Sequence, residues 1–227
     1  MLAAEFYAEV QRGINNLDNT IYIPSSEITM AFNKALYNYI HQFYTIFERD
    51  EESRKRLSKL IRPKIYTDTD LEFVDMGIPY NVYKVTLDDT IKFIVLEMAA
   101  LKFEQNNQIT YTSKVIPTNL NVVMANVSNP FKKPYSKKVW RIEGGDINGA
   151  KTHSIVVPKG FMLDRYTVSY ITVVSIDDVT RMDLDINDYL DPMFQYELIG
   201  LVINEAVSPY ITNGEQKSEE NNNQKQD

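Results

Sequence analysis

Few residues in this chain are set out as chemistry requires. Around Gly144 the sequence reads GGDINGAKT. A phosphate-cradling loop needs Gly, four residues, then Gly-Lys-Ser/Thr, so that backbone N–H groups and an ammonium converge on one anion. Gly144 and Gly149 have the separation, but Ala150 stands in the lysine position, and Lys151 and Thr152 come one residue late. The stretch follows a loop and precedes a strand pattern rather than a helix, so it reads as a glycine-rich hairpin turn. The run MDLDINDYLDPMF opens as a calcium loop does, with Asp183, Asp185 and Asn187 at positions one, three and five. Position six should be glycine and is Asp188; position twelve should be a bidentate glutamate and is Phe194. The acids alternate with Met182, Leu184 and Ile186, as in a half-buried strand with an acidic face. The two histidines, His41 and His153, form no metal-binding spacing, and no Gly-x-Ser-x-Gly elbow is present. With no cysteine, disulfides, thiolate nucleophiles and cysteine-ligated zinc are excluded. No catalytic residue, metal or cofactor is expected, and the chain reads as a non-enzyme.

The residues best suited to recognition lie in NPFKKPYSKKVWRIE. Phe131, Lys132, Lys133, Tyr135, Lys137, Lys138, Trp140 and Arg141 combine positive charge with rings, and Pro130 and Pro134 stiffen their backbone. Trp, Tyr and Arg are the usual anchors of a protein interface. The same set can stack bases and track a phosphate backbone. An acidic protein partner is the preferred reading, with a nucleic-acid-binding module as the alternative. Tyr166 and Tyr170 join the candidate interface from a strand on which Tyr166, Val168 and Tyr170 alternate with Thr167 and Ser169. The net charge of −7 and pI near 5.0 argue against whole-chain attraction to nucleic acid or an anionic membrane. No signal peptide or membrane span is expected. The 15 tyrosines suit surfaces that become buried on assembly.

The elements that must position these residues fall in three blocks. Phe6, Val10, Ile14 and Leu17 recur at helical spacing over Ala3 to Leu17. A second helix is expected from Ser25 or Ser26, capped by a serine hydroxyl, with Ile28, Phe32, Ala35, Tyr39, Phe43 and Phe47 on one stripe. A charged helix over Glu51 to Ile61 is expected to end at Pro63. Residues 62–190 are rich in β-branched and aromatic side chains, with TIKFIVLEMAALKF ambiguous and LNVVMANV either a strand or a short helix. A closing helix spans about 193–210, and the polar stretch 212–227 is expected to be a disordered tail. Helices first, then a strand-rich middle, then a helix predict an α+β fold with a largely antiparallel sheet. Residues 1–211 are expected to form a single domain.

EITMAFNKALYNYIHQFYTIFERDEESRKRLSKLI resembles the opening of connector-type structural proteins of tailed bacteriophages, including the ring proteins of crAss-like phages. NPFKKPYSKKVWRIE resembles their Asn-Pro-Phe loop, and RYTVSYITVV with DLDINDYLDPMFQYELIGLVINEAVSPYI is similar to their C-terminal pattern. One departure is that Thr172 to Ser175 continues as strand where similar chains carry a proline-rich tripeptide. The resemblance implies a subunit of a dodecameric ring below the portal that joins head to tail in the virion neck and is assembled in the host cytoplasm. The portal and other tail or ring proteins would be its partners, and DNA would pass through the channel without sequence-specific contact. No catalytic residues come with the resemblance.

Overall fold

Phe6, Val10 and Ile14 share one face of α1 (Ala3–Leu17) and are fully buried, while Leu17 at the end of the stripe is exposed. The computed structural model describes residues 1–17, 22–127, 129, 131–147, 150–173 and 185–223, without the side chains of 106–109, 145–147, 150, 193 and 211–223. It divides into two compact units, Met1–Leu60 with Val173–Asp227, and Ile61–Thr172.

The first unit is helical. In α2 (Ser25–Tyr44) the predicted stripe is buried at Ile28, Phe32, Ala35 and Tyr39. The helix stops before Phe47, and its N-cap is Pro24 with no side-chain hydrogen bond, so neither serine caps it as expected. α3 (Glu51–Leu57) does have a side-chain cap: the Asp50 carboxylate accepts from the Ser53 N–H at 2.7 Å. A 3₁₀ turn (Ser58–Leu60) completes the charged segment, which therefore ends before Ile61. α5 (Pro192–Asn223) contains the expected closing helix, with Phe194, Leu198, Val202 and Ala206 buried on one side. Leu201 is exposed and off that side. α1 and α5 meet closely at Gly13, where an added Cβ would stand 2.3 Å from Ile203 Cδ1. Arg56 holds α2, α3 and α5 together: it pairs with Glu52 and Glu197 and lies 4.7 Å above the Phe43 ring and 4.4 Å above that of Phe194. The expected tail at 212–227 lies outside the residues whose side chains are described.

The second unit is one eight-stranded sheet. Its strands are β1 (Ile61–Tyr66), β2 (Leu71–Val74), β3 (Tyr80–Thr86), β4 (Phe93–Phe103), β5 (Asn106–Thr118), β6 (Lys138–Ile147), β7 (Ala150–Pro158) and β8 (Phe161–Ile171). Their order is β1-β8-β4-β5-β6-β7-β3-β2, and every pairing is antiparallel except β5 with β6. The α+β, largely antiparallel expectation therefore holds. A parallel pair needs a crossover, and here it carries α4 (Leu120–Asn126), which resolves the ambiguity of LNVVMANV in favour of helix. Pro63 sits inside β1 rather than terminating a helix; β1 is an edge strand, where a missing N–H is tolerated. β8 ends at Ile171, so Thr172 does not continue the strand; residues 174–184, including Asp183, lie outside the described residues.

The sheet is curled. β7 and β8 are four places apart, which in a flat sheet means a gap of about 19 Å. Yet His153 on β7 and Tyr166 on β8 are in hydrogen-bond contact at 2.8 Å. Inside the curl lies a core that includes Val85, Leu101, Val115, Val139, Ile155 and Val168. On the outer face Val123 of α4 packs against Val82, Trp140, Ile142 and Val156.

Candidate functional site

The Lys/aromatic segment is held by its neighbours as well as by proline. After Asn129, whose side chain accepts from the Phe131 N–H at 3.0 Å, a tight turn closes between Tyr135 and Lys138 through two backbone hydrogen bonds of 2.8 Å each. The turn is tied to β5 by the Ser113 hydroxyl, which donates to Ser136 O at 2.6 Å, and by the Lys114 N–H, which donates to Lys137 O at 3.0 Å. Phe131 is 96% exposed and Tyr135 53%. Lys132, Lys133 and Lys137 are exposed and Lys138 is half-buried, none with an ion-pair partner among the described residues. Pro134 is buried, and Pro130 lies outside the described residues.

The segment does not continue as surface beyond Lys138. Both faces of β6 are covered, so successive residues bury alternately: Trp140 faces the α4 side and Arg141 the inside of the curl. Tyr166 is likewise fully buried, and Tyr170 is half-buried against the same inner core. Trp140, Arg141 and Tyr166 are thus corrections to the expected interface. Phe131, Lys132, Lys133, Tyr135, Lys137 and Lys138 are brought together on one crossover; Tyr170 lies apart from them on β8.

Arg141 and Tyr166 instead belong to a polar cluster inside the curl. It joins four strands: Glu97 on β4, Arg141 on β6, His153 on β7 and Tyr166 on β8. A bulge between Ile94 and Leu96 shifts β4 so that Glu97 faces inward with Ala99 and Leu101, while Leu96 and Met98 face out. The hydrogen bonds run in one direction. Tyr166 donates to Glu97, so His153 Nδ1–H donates to the Tyr166 oxygen at 2.8 Å. His153 Nε2 then accepts from Arg141 Nη1 at 3.0 Å. Arg141 closes the circuit as the counter-ion of Glu97, 3.5 Å from Nε to Oε1, and also reaches Glu143 at 3.0 Å. Arg141 Nε itself has no hydrogen-bond partner.

Burial, reinforced by the charges of Arg141 and Lys151, holds the His153 pKa down at about 3. Burial raises the Glu97 carboxyl against the opposing pull of Tyr166 and Arg141. Burial and then the Glu97 charge push the Tyr166 phenol far above its ordinary range. Glu97 Oε1, the Tyr166 hydroxyl, both His153 ring nitrogens and Arg141 Nη1 are engaged with one another. The arrangement ties four strands together through side chains. Sequence spacing gave no sign of it, because its members come from 97, 141, 153 and 166 and meet only through the curl.

The near-motifs take ordinary roles. Ile147 pairs with Ala150 across a β6–β7 hairpin, and Gly144 lies in β6 against Thr152, so the glycine-rich stretch is a hairpin, as expected. Asp185 caps a 3₁₀ turn (Ile186–Asp188), accepting from the Asn187 N–H. His41 is exposed and stacks on Tyr37. Among the described residues no group of three His, Cys, Asp or Glu is placed to hold a metal, and no helix is long and apolar enough to cross a membrane. A family model described as phage tail ring protein 3/4 matches residues 11–207. No curated protein matches the chain.

Proposed function

Since the chain belongs to the phage tail ring protein 3/4 family, a set of structural components of the virion, we propose that it is a subunit of a ring below the portal that joins head to tail and surrounds the DNA channel. The observation that carries this reading is the match over 11–207, which takes in most of both compact units. The mechanism is assembly rather than catalysis, and no cofactor takes part. The partners are further copies of itself in a dodecamer, the portal, and neighbouring tail or ring proteins. Apolar side chains left on the surface support it: Tyr22, Met30, Phe73, Met124, Phe131 and Tyr196 are each more than half exposed. Such groups mark surfaces that are covered in an assembly when they cluster, as they do on the β5–β6 crossover. Negative net charge suits a channel through which DNA slides without sticking. Assembly in the host cytoplasm agrees with the absence of cysteine.

The test is direct. Purified virions should contain the chain by mass spectrometry, and electron microscopy of the neck should show it as a ring of twelve copies. Virions that lack it would end the proposal.

A further inference from the structure

Charge is distributed very unevenly over the sheet unit. Between Glu104 and Glu143 the chain holds Lys114, Lys132, Lys133, Lys137, Lys138 and Arg141 and no acid. Between Lys64 and Lys84 it holds Asp68, Asp70, Glu72 and Asp75 and no base. Both stretches add exposed apolar side chains to their charge. On the first, Leu120, Val122, Met124, Phe131 and Tyr135 are exposed; on the second, Ile65, Phe73 and Met76. The four acids are exposed, and their only ion pair among the described residues is a long one of 3.9 Å between Glu72 and Lys84.

Phe73 and α4 lie on opposite faces of one sheet, while Glu72, opposite Lys84, points to the α4 side. Phe73 stands opposite Tyr83, with rings 5.7 Å apart, and Tyr83 packs on the core inside the curl. Val82, the next residue along, belongs to the outer cluster with Val123 of α4. Adjacent residues of a strand point to opposite faces, so Phe73 and α4 do too. Phe73 therefore faces away from the crossover of its own chain, so a contact between the two joins different patches of two copies. A contact between different patches propagates head to tail and closes into a ring when the rotation permits.

We infer that the 119–138 crossover of one copy docks on the acidic, Phe73-bearing rim around β2 of the next copy, forming the contact between neighbouring subunits. This deepens the ring reading and rests on it. Phe131 and Phe73 supply apolar area at the centre of each patch, and the charges set register and partner choice. Pro134 and the ties to β5 keep the basic side ordered before docking, which lowers the entropy cost of binding.

The test uses the full chain and two exposed charge reversals: Lys132→Glu with Lys133→Glu and Lys137→Glu, and Asp68→Lys with Asp70→Lys and Asp75→Lys. Self-association is followed by sedimentation and native mass spectrometry. Each reversal alone should weaken association at least about tenfold, since like charges then oppose. An equimolar mixture of the two variants should restore it, because every contact again joins opposite charges; a merely misfolded variant would not be rescued. If the wild type assembles and neither reversal changes its association, or the mixture gives no rescue, the inference is overturned while the ring assignment stands. The inference also falls if the lysine reversal abolishes binding to a single-stranded oligonucleotide and leaves self-association intact. A wild-type chain that stays monomeric and is missing from virions overturns the ring assignment itself.

Discussion

Burying Glu97, Arg141, His153 and Tyr166 together costs desolvation that only their mutual contacts offset. The cluster should therefore respond sharply to single deletions. Glu97→Ala leaves the Arg141 guanidinium buried beside no inner carboxylate and should cost roughly 3–5 kcal/mol, read by denaturant unfolding. Tyr166→Phe removes the donor to Glu97 and the acceptor for His153 and should cost about 1–3 kcal/mol. The pH dependence has a definite sign. The unfolded chain takes up a proton on His153 below about 6.5, while the folded chain does so only near pH 3. Its contribution is therefore complete above pH 6.5 and is lost as pH falls towards 3. By pH 5 the loss is about 2 kcal/mol. Glu97, whose carboxyl is raised, works in the opposite sense, weakening the fold as pH rises through the window above 4.5. Unfolding measured at pH 7 and pH 5 should show the wild type losing stability over that interval and His153→Gln losing markedly less. At this scale the sequence was a poor guide, since Arg141 and Tyr166 carry the same composition cues whether they meet a partner or their own core.

Among the elements, the helices were readable because amphipathic spacing and burial agree: α1 has the predicted bounds, and the α2 stripe is buried as far as Tyr39. The boundaries that moved did so for local reasons. Pro63 reads as a helix stop, but an edge strand accepts it equally well. The serines before α2 read as caps, but the backbone turns at Pro24 instead, and it is α3 that has a capping carboxylate, Asp50. Asp50→Ala should destabilise the helical unit by about 1 kcal/mol, measured by thermal or denaturant unfolding. β4 was unreadable as a period because its bulge at 94–96 breaks the alternation. Gly144 has a steric reason to be glycine: a Cβ there would stand 2.2 Å from Thr152 Oγ1. Gly144→Ala should therefore destabilise the β6–β7 hairpin, and Gly144→Ala with Thr152→Ala should recover most of the loss; a double variant no better than the single would show that the clash is not the cause.

For the whole molecule, the ordered sequence resemblance and the family match point to the same place, a ring of the phage tail. No composition count or spacing of residues could have drawn the curl of the sheet, because it depends on strand order. If opposite charge joins the subunits, raising salt from about 0.05 M to 0.5 M should weaken self-association, as the Debye length falls below the reach of the lysines. Sedimentation across that range measures it directly. The two rims of the sheet also differ in kind. β1 carries Pro63, which has no N–H to offer a further strand, whereas β2 presents Phe73 beside open backbone. Amyloid growth requires each sheet to accept strands at both rims. With proline at one rim, edge-to-edge stacking of free copies is disfavoured there, which sets a contact made by side chains apart from the backbone pairing that builds fibres.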